Sequence, residues 1–80
     1  MNKNWVLYHL KEALEELERT IREIEAEAEY EEPEFTVAIT HLYSHLNTAW
    51  NSQNASDQET SACSEENYSK WRQFPSGIEM

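Results

Sequence analysis

Two histidines four residues apart are the side chains of this sequence best placed to do chemistry. The segment His41-Leu42-Tyr43-Ser44-His45 puts both imidazoles on one face of a helix, a spacing that can supply two ligands to Zn²⁺ or a similar ion. The glutamate that follows the first histidine in helical metalloproteases is absent here. The spacing predicts a pair of partly exposed histidines at a subunit seam, and a metal-binding bundle that uses His41 and His45 is the alternative.

The helix around these histidines carries an unusual string of polar and aromatic side chains. A solvated helix face is usually Glu and Lys, whereas these residues have lower helix propensity and more hydrogen-bonding groups. We interpret the string as a candidate surface for a ligand or a protein partner, with a layer of interhelical hydrogen bonds as the alternative. Its members are His41, Tyr43, His45, Asn47, Trp50 and Asn51.

Catalytic arrangements find little support in the sequence. Cys63, the single cysteine, lies in a polar stretch with no base held near it. With one glycine, Gly77, the chain cannot form a Gly-rich phosphate loop. A small enzyme with His41 and His45 as acid–base groups remains the weakest hypothesis. We expect no enzymatic activity, no cofactor and no bound metal.

The charge of the chain narrows the range of partners. Its 80 residues include 16 acidic and 6 basic ones, for a formal net charge of −10. Nucleic acids and anionic membrane surfaces are recognised through clustered Lys and Arg, so neither is expected as a partner. No apolar run approaches the ~20 residues of a membrane span, and no signal peptide is evident. We expect a cytoplasmic protein.

Acidic residues are concentrated near the middle of the chain. They predict a solvated tip, and the alternative is an acidic decoy surface for a basic partner. The run comprises Glu23, Glu25, Glu27, Glu29, Glu31, Glu32 and Glu34.

Two long apolar repeats indicate the elements that must position these groups. The first predicts a helix over about 4–31, with apolar residues spaced three and four apart in a heptad pattern. The second predicts a helix over about 34–53, and Pro33 between them suits the first turn of a new helix. The short connection favours an antiparallel hairpin over one long helix kinked at Pro33, because an interior proline costs ~3 kcal/mol. The hairpin occupies residues 1–53.

The remainder of the chain divides into two parts. Residues 54–67 are polar, without an apolar period, and read as a flexible linker. Residues 68–80 form an aromatic tail segment, in which Tyr68, Trp71 and Phe74 could line a short helix begun by Ser64 and stopped by Pro75. We expect this tail to dock, either on the open pole of the hairpin or on another protein. That pole collects Trp5, Tyr8, His9 and Trp50.

The apolar stripes predict that one hairpin is not enough. About 50 ordered residues make a marginal core, and the second helix carries more apolar surface than one neighbour can cover. The sequence therefore predicts an all-α protein whose antiparallel two-helix hairpin pairs with a second copy into a four-helix bundle. It favours a protein–protein interaction or regulatory module acting as a homodimer. The interface residues expected are Leu7, Leu10, Leu14, Leu17, Ile21, Ile24, Phe35, Ile39, Leu42 and Leu46.

Overall fold

Four α-helices make up the part of the chain that the structure describes. The computed structural model describes residues 1–62 and 64–79, and its helices are α1 (Lys3–Ala26), α2 (Glu32–Asn51), α3 (Asp57–Ala62) and α4 (Glu65–Trp71). The all-helical class predicted from the sequence is confirmed, and α1 and α2 pack together. Among these four helices, none has the length and apolar character needed to cross a bilayer.

The start of α1 is tied to the end of α2. The Asn2 side chain caps α1 by accepting a hydrogen bond from the Trp5 backbone N–H at 3.2 Å. The Asn2 backbone N–H donates to the carbonyl of Gln53 at 2.6 Å, and its side-chain amide donates to the carbonyl of Ala55 at 3.0 Å. The bonds to Gln53 and Ala55 join the start of α1 to the end of α2 at the open pole, which is the end of the hairpin farthest from its connection.

The hairpin turns between α1 and α2 within five residues. Helix α1 ends at Ala26, before the expected Glu31. A longer helix would place Glu27, Glu29 and Glu31 at the negative end of its dipole, with no basic residue to offset them. Helix α2 begins with Pro33 in its first turn and a capping box at its start. There the Glu31 N–H donates to Glu34 Oε2 at 3.0 Å. The structure therefore shows a hairpin rather than one long helix kinked at Pro33.

Small and polar side chains, rather than leucines, fill the space between the two long helices. The buried residues of α1 are His9, Ala13 and Thr20. On α2 the buried residues are Ala38, Asn47, Thr48 and Ala49. The large apolar side chains of α1 lie about a quarter turn away from this inner face, since each residue advances ~100° around a helix. The hairpin thus leaves much of its apolar surface uncovered.

Two short helices follow: α3 lies in the stretch where the sequence suggested a flexible linker, and α4 spans the end of that stretch and the start of the aromatic tail, where the sequence allowed a short helix begun by Ser64. Helix α3 begins with a reciprocal cap, in which the Glu59 N–H donates to Ser56 Oγ and the Ser56 N–H donates to Glu59 Oε1, both at 3.1 Å. Ser64 caps the start of α4, and its hydroxyl accepts a hydrogen bond from the Asn67 N–H at 3.1 Å. Helix α4 packs on α2. Cys63 lies outside the described residues.

Candidate functional site

All three histidines of the chain line one cavity between α1, α2 and α4, here called the histidine cavity. Its volume is about 160 Å³. The two long helices supply most of its wall and α4 closes one side. The lining residues are Trp5, His9, His41, Ser44, His45, Thr48, Tyr68 and Trp71. The cavity therefore contains all three imidazoles, which are the side chains of this molecule best suited to acid–base or metal chemistry.

A direct contact between two imidazoles, one from each long helix, forms the centre of this cavity. The Nδ1 atoms of His9 and His45 are 3.1 Å apart, so one ring must donate an N–H and the other must accept it. His9 is buried, with 9% of its surface exposed, and its Nε2 has no hydrogen-bond partner. The pKa of His9 is lowered to about 4, mainly because the ring is buried and secondly because His45 lies beside it. The His9 imidazole is therefore neutral near pH 7.

Trp5 packs against His9, and Trp71 packs in turn against Trp5. The Trp5 ring meets the His9 ring edge-on with centroids 4.5 Å apart, and the Trp71 ring meets Trp5 at 6.1 Å. The Trp5 indole N–H donates to Ser52 Oγ at 2.7 Å, and the Ser52 hydroxyl in turn donates to the Thr48 carbonyl. These bonds fix the indole, so the wall of the cavity beside His9 is rigid and apolar.

His41 stands at the rim of the cavity rather than at its centre. Its side chain is 63% exposed, and its Nδ1 lies 3.9 Å from Glu16 Oε1 on α1. Glu16 also forms an ion pair with Arg19. The structure thus brings His45 against His9, one helix away, and not against His41. Within residues 1–62 and 64–79, no three His, Cys, Asp or Glu side chains converge as a metal centre.

The two asparagines of the predicted binding string hold the C-terminal end of α4. The Asn47 amide donates to the Arg72 carbonyl at 3.0 Å, and the Asn51 amide donates to the carbonyls of Trp71 at 2.8 Å and Gln73 at 2.5 Å. The last carbonyls of a helix have no hydrogen-bond partner within the helix. The two amides therefore donate hydrogen bonds to carbonyls that would otherwise lack a partner at this end of α4. We call this pair of side chains the asparagine clasp.

Replacing Asn47 by alanine should loosen the clasp. Asn47 is buried, and its loss leaves the Arg72 carbonyl without its partner, so we expect a loss of about 1–2 kcal/mol in the free energy of unfolding. Urea titration followed by circular dichroism would measure it. Asn54→Ala is the matched control, since Asn54 is exposed, and it should change stability by less than ~0.5 kcal/mol. Equal effects of the two substitutions would contradict a role for the clasp.

The other two members of the binding string lie away from the histidine cavity. The Tyr43 ring meets the Phe74 ring edge-on at 5.2 Å, beyond the end of α4. Trp50 is half-exposed and borders a hollow with Leu10, Leu46 and Ala49. The string therefore divides among four places, namely the cavity, the clasp, the contact with Phe74 and the apolar face of the hairpin.

The residues expected at a subunit interface form an apolar face along one side of the hairpin. Leu17 borders a hollow with Phe35, Ile39 and Leu42, and Leu10 lies near Leu46. On α1 the large side chains are between 43% and 53% exposed, although they follow the heptad pattern. This apolar face consists of Leu7, Leu10, Leu14, Leu17, Ile21, Ile24, Phe35, Ile39, Leu42, Leu46 and Trp50.

Carboxylates surround the connection between α1 and α2, here called the acidic tip. It comprises the seven glutamates from Glu23 to Glu34 named above. Burial and these carboxylates, first Glu23 and then Glu34, raise the pKa of the Tyr30 phenol. The acidic tip and the open pole are at opposite ends of the hairpin, so charge is unevenly distributed along it.

Comparison with protein-family models, with curated proteins and with solved structures found no match to this chain. Function must therefore be inferred from the described residues themselves.

Proposed function

We propose that this protein is a protein–protein interaction module that acts as a homodimer, in which two hairpins cover each other's apolar face and form a four-helix bundle. The observation that supports this proposal is the exposure of the apolar face. Nine of its side chains, on both long helices, are between 41% and 53% exposed in the single chain. These nine are Leu7, Leu10, Leu14, Leu17, Ile21, Ile24, Phe35, Leu46 and Trp50. A contiguous apolar surface of this kind is unusual on a monomer and typical of an association site.

The dimensions of the apolar face match those of a stable dimer. Helix α1 has 24 residues, so at ~1.5 Å per residue it is roughly 36 Å long. Two helices side by side are ~20 Å wide. The face therefore offers roughly 700 Å² per protomer, close to the ~800 Å² that each partner contributes to a standard interface.

The distribution of charge favours one orientation of the two hairpins. If both acidic tips lay at the same end of the bundle, fourteen glutamates would be crowded together, twice the seven of one tip. The opposite orientation places each tip beside the partner's open pole, near Lys3 and Lys11 on α1. Because like charges at short range repel, we favour the tip-to-pole arrangement around a two-fold axis.

A second copy is a better occupant of this face than a basic partner. The core of the face consists of aliphatic and aromatic side chains from both helices, and a two-fold axis lets each stripe pack on its equivalent. A partner chosen by charge would instead bind the acidic tip, which contributes no residue to the centre of the apolar face. Any further protein partner would then bind the surfaces that the dimer leaves free.

The oligomeric state in solution tests this function. Sedimentation equilibrium of the full chain should give about 19 kDa, twice the 9.5 kDa of one chain, with dissociation on dilution. A mass of 9.5 kDa at every concentration up to ~1 mM, a range that excludes even weak association, would overturn the proposal.

Disulfide trapping tests the orientation. In a Cys63→Ser background, Glu29→Cys places a thiol at the acidic tip and Lys3→Cys places one at the open pole. The tip-to-pole arrangement predicts that a mixture of the two variants forms the mixed disulfide faster than either variant joins to itself. Faster joining of Glu29→Cys to itself would indicate that the tips lie together.

A further inference from the structure

The contact between His9 and His45 contributes little to the stability of the hairpin. It buries the His9 ring and partly buries the His45 ring in exchange for one hydrogen bond, and it leaves His9 Nε2 buried without a partner. An unsatisfied buried polar atom costs about 1–3 kcal/mol, whereas two apolar side chains of similar size carry no such cost. Packing alone therefore does not account for two histidines at this position.

We propose that His9 and His45 form a binding site for a divalent transition-metal ion that prefers imidazole, such as Zn²⁺ or Ni²⁺, and that His41 turns into the cavity as a third ligand. The site goes beyond the proposed function, because the histidine cavity and the apolar face share no residue. Neither the homodimer nor its orientation is needed for the ion to bind.

The distance between the two nitrogens fits a shared ion. Around a tetrahedral ion with bonds of ~2.0–2.1 Å, neighbouring nitrogen ligands are ~3.3 Å apart, and around an ion with right-angled bonds they are ~2.9 Å apart. The observed 3.1 Å between the Nδ1 atoms of His9 and His45 lies between these values. To hold the ion, each ring must also rotate so that its Nδ1 lone pair faces the ion instead of the other Nδ1 atom.

The hydrogen bond between the two imidazoles already contains one unprotonated Nδ1 atom. A metal ion binds an unprotonated ring nitrogen, and the Nδ1 atom that accepts this hydrogen bond carries no proton. In the metal-free pair one Nδ1 carries the proton of the hydrogen bond. When the ion occupies both Nδ1 atoms, that proton moves to Nε2 of the same ring, so the two neutral rings bind the ion without net loss of a proton.

His41 is positioned to complete the site. It lies one helical turn before His45 on α2 and lines the same cavity, and its side chain is 63% exposed, so most of it is not packed against the protein. Its present neighbour, Glu16, also pairs with Arg19, so rotation of His41 does not leave that carboxylate without a cation. Two histidines and water would hold the ion first, and the third imidazole would then increase its affinity.

Quenching of tryptophan fluorescence by Ni²⁺ provides a direct test with the full chain. The Trp5 ring is 4.5 Å from the His9 ring, so a paramagnetic ion between the histidines should quench it strongly. We expect saturable quenching with one ion per chain at pH 7.5, reversed by excess Zn²⁺. Absence of saturable quenching up to ~1 mM Ni²⁺ would overturn the proposal.

Single substitutions identify the ligands. His9→Gln and His45→Gln should each weaken Ni²⁺ binding at least tenfold, and His41→Gln should weaken it by a smaller factor. Two controls exclude other metal-binding groups: Cys63→Ser, and the pair Glu25→Gln with Glu29→Gln at the acidic tip, should leave affinity unchanged. Binding that survives both His9→Gln and His45→Gln, or that is lost in either control, would contradict the site.

Nuclear magnetic resonance of the wild-type protein keeps the test independent of how the variants fold. Zinc coordination through Nδ1 changes the ¹⁵N shift of that nitrogen and fixes the proton on Nε2. We expect this change for His9 and His45 together on adding one equivalent of Zn²⁺. A response confined to His41, or no response from any histidine, would overturn the proposal.

Discussion

Replacing Leu14 and Leu17 by glutamate should convert the protein from a dimer into a monomer. Both side chains lie on the apolar face and are about half exposed in the single chain. Each leucine is about half exposed, so burying the rest of it in a dimer contributes ~0.7–1.5 kcal/mol, and the two-fold axis repeats each change. The four substituted positions would therefore cost about 3–6 kcal/mol, which lowers the association constant by ~10²–10⁴-fold. Sedimentation equilibrium of the double variant should give 9.5 kDa.

A charge-matched control separates the apolar face from the effect of added negative charge. Arg19→Gln with Arg22→Gln changes the net charge of the chain by −2, the same amount as the two glutamates, and both residues are exposed on α1 and belong neither to the apolar face nor to the open pole. This control should remain a dimer at low salt. A control that also dissociates would indicate that charge governs association, and a leucine variant that stays dimeric would exclude the apolar face as the interface.

Truncating Trp71 to alanine should detach α4 from the hairpin. Trp71 is 8% exposed and is the one buried residue of α4. Removing a buried aromatic side chain typically costs 3–5 kcal/mol, and we expect about 3 kcal/mol here because α4 is small and its surroundings can relax. Urea unfolding should show the lower stability, and far-ultraviolet circular dichroism should show the loss of about two turns of helix.

Phe74→Ala is the matched aromatic control for this prediction. Phe74 is 67% exposed and touches only the edge of the Tyr43 ring among the described aromatic contacts. Its removal should lower stability by less than ~1 kcal/mol. If Trp71→Ala has an equally small effect, α4 does not stabilise the hairpin, and its aromatic side chains would instead be available to another protein.

The spacing of apolar residues predicted the two long helices but not their inner face. Leu10, Leu14 and Leu17 follow a heptad pattern that identifies a helix, yet a pattern on one helix does not say which neighbour covers it. The inner face, with Ala13 and Thr20, carries a weaker signal because alanine and threonine are also common on exposed helices. Because short side chains lie between α1 and α2, the leucines of α1 lie beside the contact between the two helices and not within it.

The histidine cavity could be anticipated only in part. The spacing of His41 and His45 marked that turn of α2 as a candidate site. His9 was placed at the open pole, but its contact with His45 depends on the exact register of the hairpin. That register depends on where α1 ends, and Glu29 and Glu31, although unfavourable at a helix C-terminus, do not identify Ala26 as the last residue. The capping residues Ser56 and Glu59 were a signal for α3 that the polar composition of the segment obscured.

The asparagine clasp has a consequence for how the molecule opens. A helix of seven residues is not stable in water by itself, because too few hydrogen bonds offset the cost of nucleation. Helix α4 therefore persists only while Asn47, Asn51 and the Trp71 contact hold it. Its backbone amides should exchange with solvent deuterium through one local opening, earlier than those of α1 and α2. The exchange rate of this short helix would then report directly how often the histidine cavity is uncovered.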